Sequence, residues 1–151
     1  MDLSTRFGKN GTKRILVCDD VYDHALLLQV ILETEGYEVM LANSGAAAIA
    51  QIERAKPDLV LLDLMMPGID GMEIVRHMRQ NPRSDRIPVI LVAPSRRDSI
   101  SAECQKLVSG IVHKPIEWEE LIPQVEAIFA TPFSTGSQRN FRSFSVVGQR
   151  F

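Results

Sequence analysis

The sequence has few cysteines and no long apolar run, and each shortage excludes a class of protein. Its two cysteines, Cys18 and Cys104, lie far apart and match no metal-binding spacing, so a zinc site and a disulfide framework are both disfavoured. No stretch approaches the roughly 20 apolar residues that a membrane-spanning helix needs. The opening residues also lack the apolar centre of a secretory signal. We therefore expect a cytoplasmic protein.

Charge is unevenly distributed along the 151 residues. The formal net charge is −2, but residues 1–14 and 131–151 are both basic, which leaves residues 15–130 clearly acidic. An acidic body is a poor partner for a phosphate backbone, so direct nucleic acid binding is not expected. With 45% apolar residues the chain is long enough to bury one core and too short for two ordinary domains.

Short apolar runs alternate with segments of helical period, which is typical of βα units around a parallel sheet. The predicted strands are residues 15–18, 37–42, 59–62, 89–92 and 110–113. The predicted helices are residues 23–35, 45–55, 71–80, 98–107 and 117–129. We expect a single domain over residues 14–130, a flexible N-terminal segment at 1–13, and a basic, phenylalanine-containing tail at 131–151.

Charged residues follow three of the five predicted strands. Asp19 and Asp20 follow the first strand, Asp63 the third and Lys114 the fifth. The carboxyl ends of parallel strands form the binding edge of such a sheet, so these side chains should meet. Carboxylates brought together repel one another without a cation, and oxygen ligands alone favour Mg²⁺. In such a site Asp63 could accept a phosphoryl group, with Lys114 as a second positive charge.

The segments ILVCDD, LVLLDLMMPGIDGMEIVRHMR, IPVILVA and GIVHKP resemble the receiver domain of bacterial response regulators over about residues 13–130. The resemblance implies a flavodoxin-like, doubly wound α/β fold: a five-stranded parallel sheet of order 2-1-3-4-5 with five helices. It implies that Asp63 is the phosphoacceptor and that Lys114 contacts the phosphoryl oxygens, with a Lys114–Pro115 bond that is often cis in the family. The implied Mg²⁺ ligands are the carboxylates of Asp19, Asp20 and Asp63 and the backbone carbonyl of Met65.

Two positions depart from the family's pattern. Ala93 stands where the family usually has Ser or Thr at the end of the fourth strand, and Ile111 stands where it has an aromatic residue in the fifth. Ala93 has no hydroxyl to donate to a phosphoryl group, so we expect altered signalling. Ser95 could supply a substitute hydroxyl, although Pro94 stiffens the connection and a cap or loop role suits Ser95 equally well.

The resemblance implies a phosphoryl donor, either a sensor histidine kinase or a histidine phosphotransfer protein. We expect a stand-alone receiver that signals through contacts with a downstream protein, because residues after 129 are too few and irregular for an output domain. A homodimer through the fourth and fifth helices is also compatible with the family. The alternative is a receiver-like scaffold that works without phosphorylation. An enzyme acting on small molecules is disfavoured because such aspartyl-phosphate enzymes typically carry an aspartate where Met65 stands.

Simpler structural roles are also open for the same residues. Asp19 and Asp20 could cap the first helix, and Lys114 could be an ordinary solvated lysine. Asp70 is a better cap than Asp63 for the helix that follows the third strand. The tail at 131–151 is either disordered or docked through its phenylalanines onto this domain, a second copy or a target.

Overall fold

The computed structural model describes residues 11–95 and 100–130, in which five strands alternate with five helices. The strands are β1 (Arg14–Cys18), β2 (Glu38–Ala42), β3 (Leu59–Asp63), β4 (Val89–Ala93) and β5 (Gly110–His113). The helices are α1 (Tyr22–Thr34), α2 (Gly45–Ala55), α3 (Gly71–Gln80), α4 (Ala102–Leu107) and α5 (Trp118–Ala130). The predicted N-terminal segment, apart from residues 11–13, and the predicted tail lie outside the described residues.

All five strands are parallel and lie in the order β2-β1-β3-β4-β5, which confirms the flavodoxin-like prediction. Every residue of β3 and β4 is buried, because helices cover both faces of the sheet at its centre. The edge strand β2 is only partly buried. The unbroken apolar runs of the central strands are therefore the sequence signature of their position in the sheet.

Each face of the sheet builds its own core, because successive strand residues point to opposite faces. On one side, alternate strand residues such as Leu16 pack with the inward residues of α2, α3 and α4. On the other side, Ile15 and Val17 pack with α1 and α5. Helices α1 and α5 are thus neighbours on the same face of the sheet.

Most helix and strand ends lie within one residue of the prediction, and α2, α3 and β5 match it at both ends. The helix predicted over residues 98–107 is wrong at residues 100 and 101, since α4 begins at Ala102. Ser101 is the N-cap, and its hydroxyl oxygen accepts a hydrogen bond from the Cys104 amide at 3.1 Å. A serine that satisfies an orphan amide fixes the helix start more strongly than the upstream periodicity does. Residues 98 and 99 lie outside the described residues.

Within residues 11–95 and 100–130, no helix combines the length and the apolar character needed to cross a bilayer.

Candidate functional site

Three aspartates meet at the carboxyl edge of the sheet. Asp19 and Asp20 directly follow β1, and Asp63 is the last residue of the neighbouring strand β3. Carboxylate oxygens from the three side chains lie within 4.8 Å of one another. We call Asp19, Asp20 and Asp63 the acidic cluster. Asp19 and Asp63 are buried while Asp20 is exposed, so the cluster opens to solvent on the Asp20 side.

Lys114 joins the acidic cluster from β5. Its Nζ donates to Asp63 Oδ2 at 2.9 Å, and its side chain is 28% exposed against 3% for Asp63. Its backbone amide donates to the carbonyl of Ala93 at 2.9 Å, which fixes the loop after β5 against the end of β4. The Lys114–Pro115 bond is cis. An ordinary solvated lysine would not be held this way, so the simpler interpretation of Lys114 is wrong.

The loop after β3 holds the other oxygen of Asp63. Asp63 Oδ1 accepts from the Met65 amide at 3.0 Å. Met65 thus contacts the acidic cluster through its backbone amide. The role of its backbone carbonyl as a Mg²⁺ ligand stays a prediction. The loop also relies on Gly71, which sequence analysis did not select: a Cβ there would lie 2.9 Å from Leu64 Cα and 3.0 Å from the Asp63 carbonyl oxygen. The glycine that follows Asp70 at the start of α3 is the sequence signal that could have indicated that Gly71 lies against the backbone of Leu64.

Asp19 is also held through both of its carboxylate oxygens. Its Oδ1 accepts from the Val21 amide at 2.9 Å, and its Oδ2 lies 3.7 Å from Nδ1 of His24. Burial raises the pKa of Asp19 above its ordinary value; the negative charge of Asp63 raises it further, while the Val21 hydrogen bond, Lys114 and His24 lower it. Sequence analysis missed His24, although a histidine in the first turn after the aspartate pair was the available signal.

Helix capping does not account for Asp19 and Asp20. The N-cap of α1 is Val21, which makes no side-chain capping hydrogen bond. By contrast, Asp70 caps α3 as predicted, and its Oδ1 accepts from the Met72 amide at 3.0 Å. Among the described residues, the acidic cluster sets three carboxylates against the one ammonium of Lys114, an arrangement with excess negative charge.

The donor set of the acidic cluster suits Mg²⁺. It consists of carboxylate oxygens without histidine nitrogen or cysteine sulfur, and such hard oxygen sets favour Mg²⁺ over zinc or copper. Two of the carboxylates are buried, so their mutual repulsion is poorly screened by water. The exposed Asp20 leaves room for the water ligands that Mg²⁺ retains. The residues present therefore fit this ion.

The two atypical positions lie where the sequence predicts them. Ala93 ends β4, is fully buried and pairs with His113 of β5. Ile111 lies within β5 opposite Leu91 and packs, partly buried, against the core on the α2, α3 and α4 side. Neither side chain carries a hydroxyl or an aromatic ring. Their predicted effect on signalling stays a prediction.

Comparison with known families matches residues 15–126 to the response regulator receiver domain. Response regulator PleD of Caulobacter vibrioides is 38% identical over 118 residues, which cover 76% of this chain and 26% of PleD. Protein PilH of Pseudomonas aeruginosa is 30% identical over 118 residues, which cover 78% of this chain and 98% of PilH. The structure of response regulator TrrA from Thermotoga maritima, solved with Mg²⁺-BeF, is 32% identical with a TM-score of 0.68 and covers 78% of this chain and 99% of that one. The chain thus spans about a quarter of the length of PleD and nearly all of PilH.

Proposed function

The chain belongs to the response regulator receiver domain family, and from that premise we propose that it accepts a phosphoryl group on Asp63. The observation that carries this proposal is the position of the Asp63 carboxylate. It is buried at the carboxyl end of β3, accepts a hydrogen bond from Lys114 Nζ at 2.9 Å, and lies close to the carboxylates of Asp19 and Asp20. An aspartate with a cation on one side and metal-binding oxygens on the other is positioned for phosphoryl transfer.

The phosphoryl donor is a phosphohistidine on a sensor histidine kinase or on a histidine phosphotransfer protein. A carboxylate oxygen of Asp63 forms the new bond to phosphorus while the bond from phosphorus to the donor's imidazole nitrogen breaks. The nitrogen keeps the electron pair of that bond and then takes a proton. The ammonium of Lys114 neutralises charge on the phosphoryl oxygens as they approach, which is the main contribution that a protein makes to this type of reaction.

Asp19, Asp20 and Asp63, together with the backbone carbonyl of Met65, would hold Mg²⁺. The bound ion supplies positive charge that offsets the negative charge of the phosphoryl oxygens. Asp19 is oriented for this role by the Val21 amide, and Asp63 by the Met65 amide. Without a bound metal ion, the three carboxylates would outweigh the ammonium of Lys114 and repel an anionic donor.

We further propose that residues 14–130 form the receiver domain and that its output is a change in protein contacts. A phosphoryl group that stays on Asp63 changes the surface of the protein and releases no small-molecule product. This suits signalling to a downstream protein better than enzymatic turnover. A homodimer is one form that such contacts could take.

The direct test is to incubate the chain with Mg²⁺ and an acyl phosphate, and then to measure its intact mass over time. We expect a gain of one phosphoryl group that disappears in Asp63→Asn and persists in the matched control Asp85→Asn. Asp85 is exposed and precedes β4, so it lies at the opposite edge of the sheet from the acidic cluster. Equal labelling of the Asp63→Asn variant would disprove Asp63 as the acceptor.

A second candidate function is a receiver-like scaffold that binds its partner without phosphorylation. It is favoured by Ala93 and Ile111, which lack the hydroxyl and the ring through which the family is expected to couple the phosphoryl group to its surface. The two functions differ in their response to Ala93→Ser. A phosphorylation switch predicts that the added hydroxyl enlarges the fluorescence change of Trp118 on phosphorylation. A scaffold predicts no phosphorylation-linked change, and partner binding that survives Asp63→Asn.

A further inference from the structure

Helix α1 exposes apolar side chains on the face that points away from the sheet. Among the described residues, seven large hydrophobic side chains are exposed, and five of these lie between residues 21 and 30. Tyr22 is 68% exposed, Leu27 57% and Val30 54%, with Leu26 at 39%. Tyr22, Leu26 and Val30 follow one another at four-residue spacing, so they form a stripe with Leu27 beside it. We call these four residues the outer α1 face. Scattered apolar residues are normal, but a contiguous patch indicates a binding surface.

The charge of α1 limits what can cover the outer α1 face. The helix contains Asp23 and Glu33 and no lysine or arginine, and both acidic side chains are exposed. Two copies of this helix packed face to face would therefore bring like charges together, which disfavours a second copy of the chain as the occupant. The complementary occupant is apolar and basic.

Residues 131–151, which lie outside the described residues, have this composition. The segment contains no aspartate or glutamate. Its apolar and basic side chains are Phe133, Phe141, Phe144, Phe151, Val146, Val147, Arg139, Arg142 and Arg150. Residues 1–10 also carry positive charge, but they offer far less apolar surface, with Leu3 and Phe7 as their large members besides Met1.

The fold starts this segment beside α1. Helix α5 ends at Ala130, and the ring of Phe129 lies 5.4 Å, centroid to centroid, from the ring of Tyr37. Tyr37 comes three residues after the end of α1 at Thr34. The 13 residues of α1 extend about 20 Å, whereas the 21 residues of the segment can span up to about 70 Å. The segment therefore reaches the whole length of α1.

Two other grooves suit the segment less well. The groove beside Phe129 is lined by three basic residues, Lys13, Arg83 and Arg86, and by two acidic ones, so its charge favours arginines less than that of α1, which has no lysine or arginine. The apolar groove around Met65 and Met72 lies at the carboxyl edge of the sheet, on the face covered by α3 and α4. Ala130 ends α5, which covers the other face, so the groove is far from the start of the segment. Charge and the nearness of α1 to Ala130 together favour the outer α1 face.

We propose that residues 131–151 bind the outer α1 face in the same molecule, with their apolar side chains against Leu26, Leu27 and Val30 and their arginines near Asp23 and Glu33. This contact is independent of phosphorylation. Because Tyr22 lies two residues from Asp20, the segment competes with any partner that approaches the acidic cluster along α1.

Trypsin digestion of the intact chain tests the proposal, because trypsin cuts after Arg139 and Arg142. A free peptide of residues 131–151 is the reference. We expect these sites to be cut roughly tenfold more slowly in the chain, since proteolysis follows the population of the open form. The double variant Leu27→Gln, Val30→Gln should bring the rate to that of the peptide. The matched control is Met65→Gln, which replaces an apolar side chain that is also more than half exposed and lies off the outer α1 face. Circular dichroism verifies that each variant is folded.

Three results would each overturn the proposal. The first is a cleavage rate in the chain equal to that of the peptide. The second is protection that the α1 double variant leaves unchanged, which would place the segment elsewhere. The third is protection that increases with protein concentration, which would indicate a second copy as the occupant. No phosphoryl donor is present in this assay, so its outcome is separate from the outcome for Asp63.

Discussion

Replacing Asp19 by asparagine should make the metal-free protein more stable, although it removes a residue of the proposed site. Asparagine keeps the size of the side chain and the oxygen that accepts from the Val21 amide, and it removes the charge. Asp19 and Asp63 are both almost fully buried, with carboxylate oxygens within 4.8 Å of each other. Two unit charges at that separation repel by about 3.5 kcal/mol at an effective dielectric constant of about 20. The attraction of Asp19 to Lys114 offsets part of this repulsion.

The effect of Asp19→Asn on stability should depend on pH, because burial and the charge of Asp63 raise the pKa of Asp19. A raised pKa in the folded protein means that ionising this carboxyl costs more in the folded state than in the unfolded state. That cost is absent below about pH 4, where the carboxyl is protonated in both states, and it is complete above the raised pKa. The advantage of Asp19→Asn should therefore be present at neutral pH and should disappear in acid.

At pH 7 in EDTA we expect Asp19→Asn to be more stable by roughly 1–2 kcal/mol, or roughly 4–8 °C in Tm for a domain of this size. Saturating Mg²⁺ should make the unchanged chain more stable than Asp19→Asn. An ion present at 100 times its Kd adds about 2.7 kcal/mol to a protein with the intact site, and the variant should gain less. The assay is thermal unfolding by circular dichroism in EDTA and across a Mg²⁺ series, with Asp85→Asn as the control. The reasoning is refuted if Asp19→Asn is the less stable protein in EDTA, or if it gains as much from Mg²⁺ as the unchanged chain.

Three further substitutions test the lysine at the acidic cluster, the close approach of Gly71 and the N-cap of α3. Lys114→Gln removes the ammonium that lies 2.9 Å from Asp63 and should slow phosphorylation by roughly 100-fold, measured by intact mass; an unchanged rate would exclude this role for the lysine. Gly71→Ala places a Cβ 2.9 Å from Leu64 Cα and should cost roughly 1–3 kcal/mol in urea unfolding, whereas a neutral effect would mean that the loop can move freely. Asp70→Ala removes the N-cap hydrogen bond of α3 and should cost about 1 kcal/mol in the same assay, with Asp70→Ser recovering most of the loss.

The sequence by itself determined the parallel βα architecture and the membership of the acidic cluster, whereas the order of the strands followed from the family resemblance. Unbroken apolar runs in β3 and β4 indicate strands buried on both faces, and alternating βα units then leave few possible sheets. The carboxyl ends of parallel strands meet at one edge, so Asp19, Asp63 and Lys114 had to come together although 51 residues separate the last two. The cap residue Asp70 also indicated the start of α3 from the sequence.

Contacts between elements could be decided only by the tertiary structure. The 2.9 Å bond from Lys114 to one particular oxygen of Asp63, the approach of His24 to Asp19, and the space that Gly71 leaves for Leu64 all depend on packing between separate segments. The same holds for the surface of α1. Its apolar residues occur on both sides of the helix, so periodicity alone could not distinguish the side that the sheet covers from the side left exposed. Only the packing of α1 against β1, β2 and α5 determines that Leu28 is buried and that Leu27, its neighbour in the chain, is exposed.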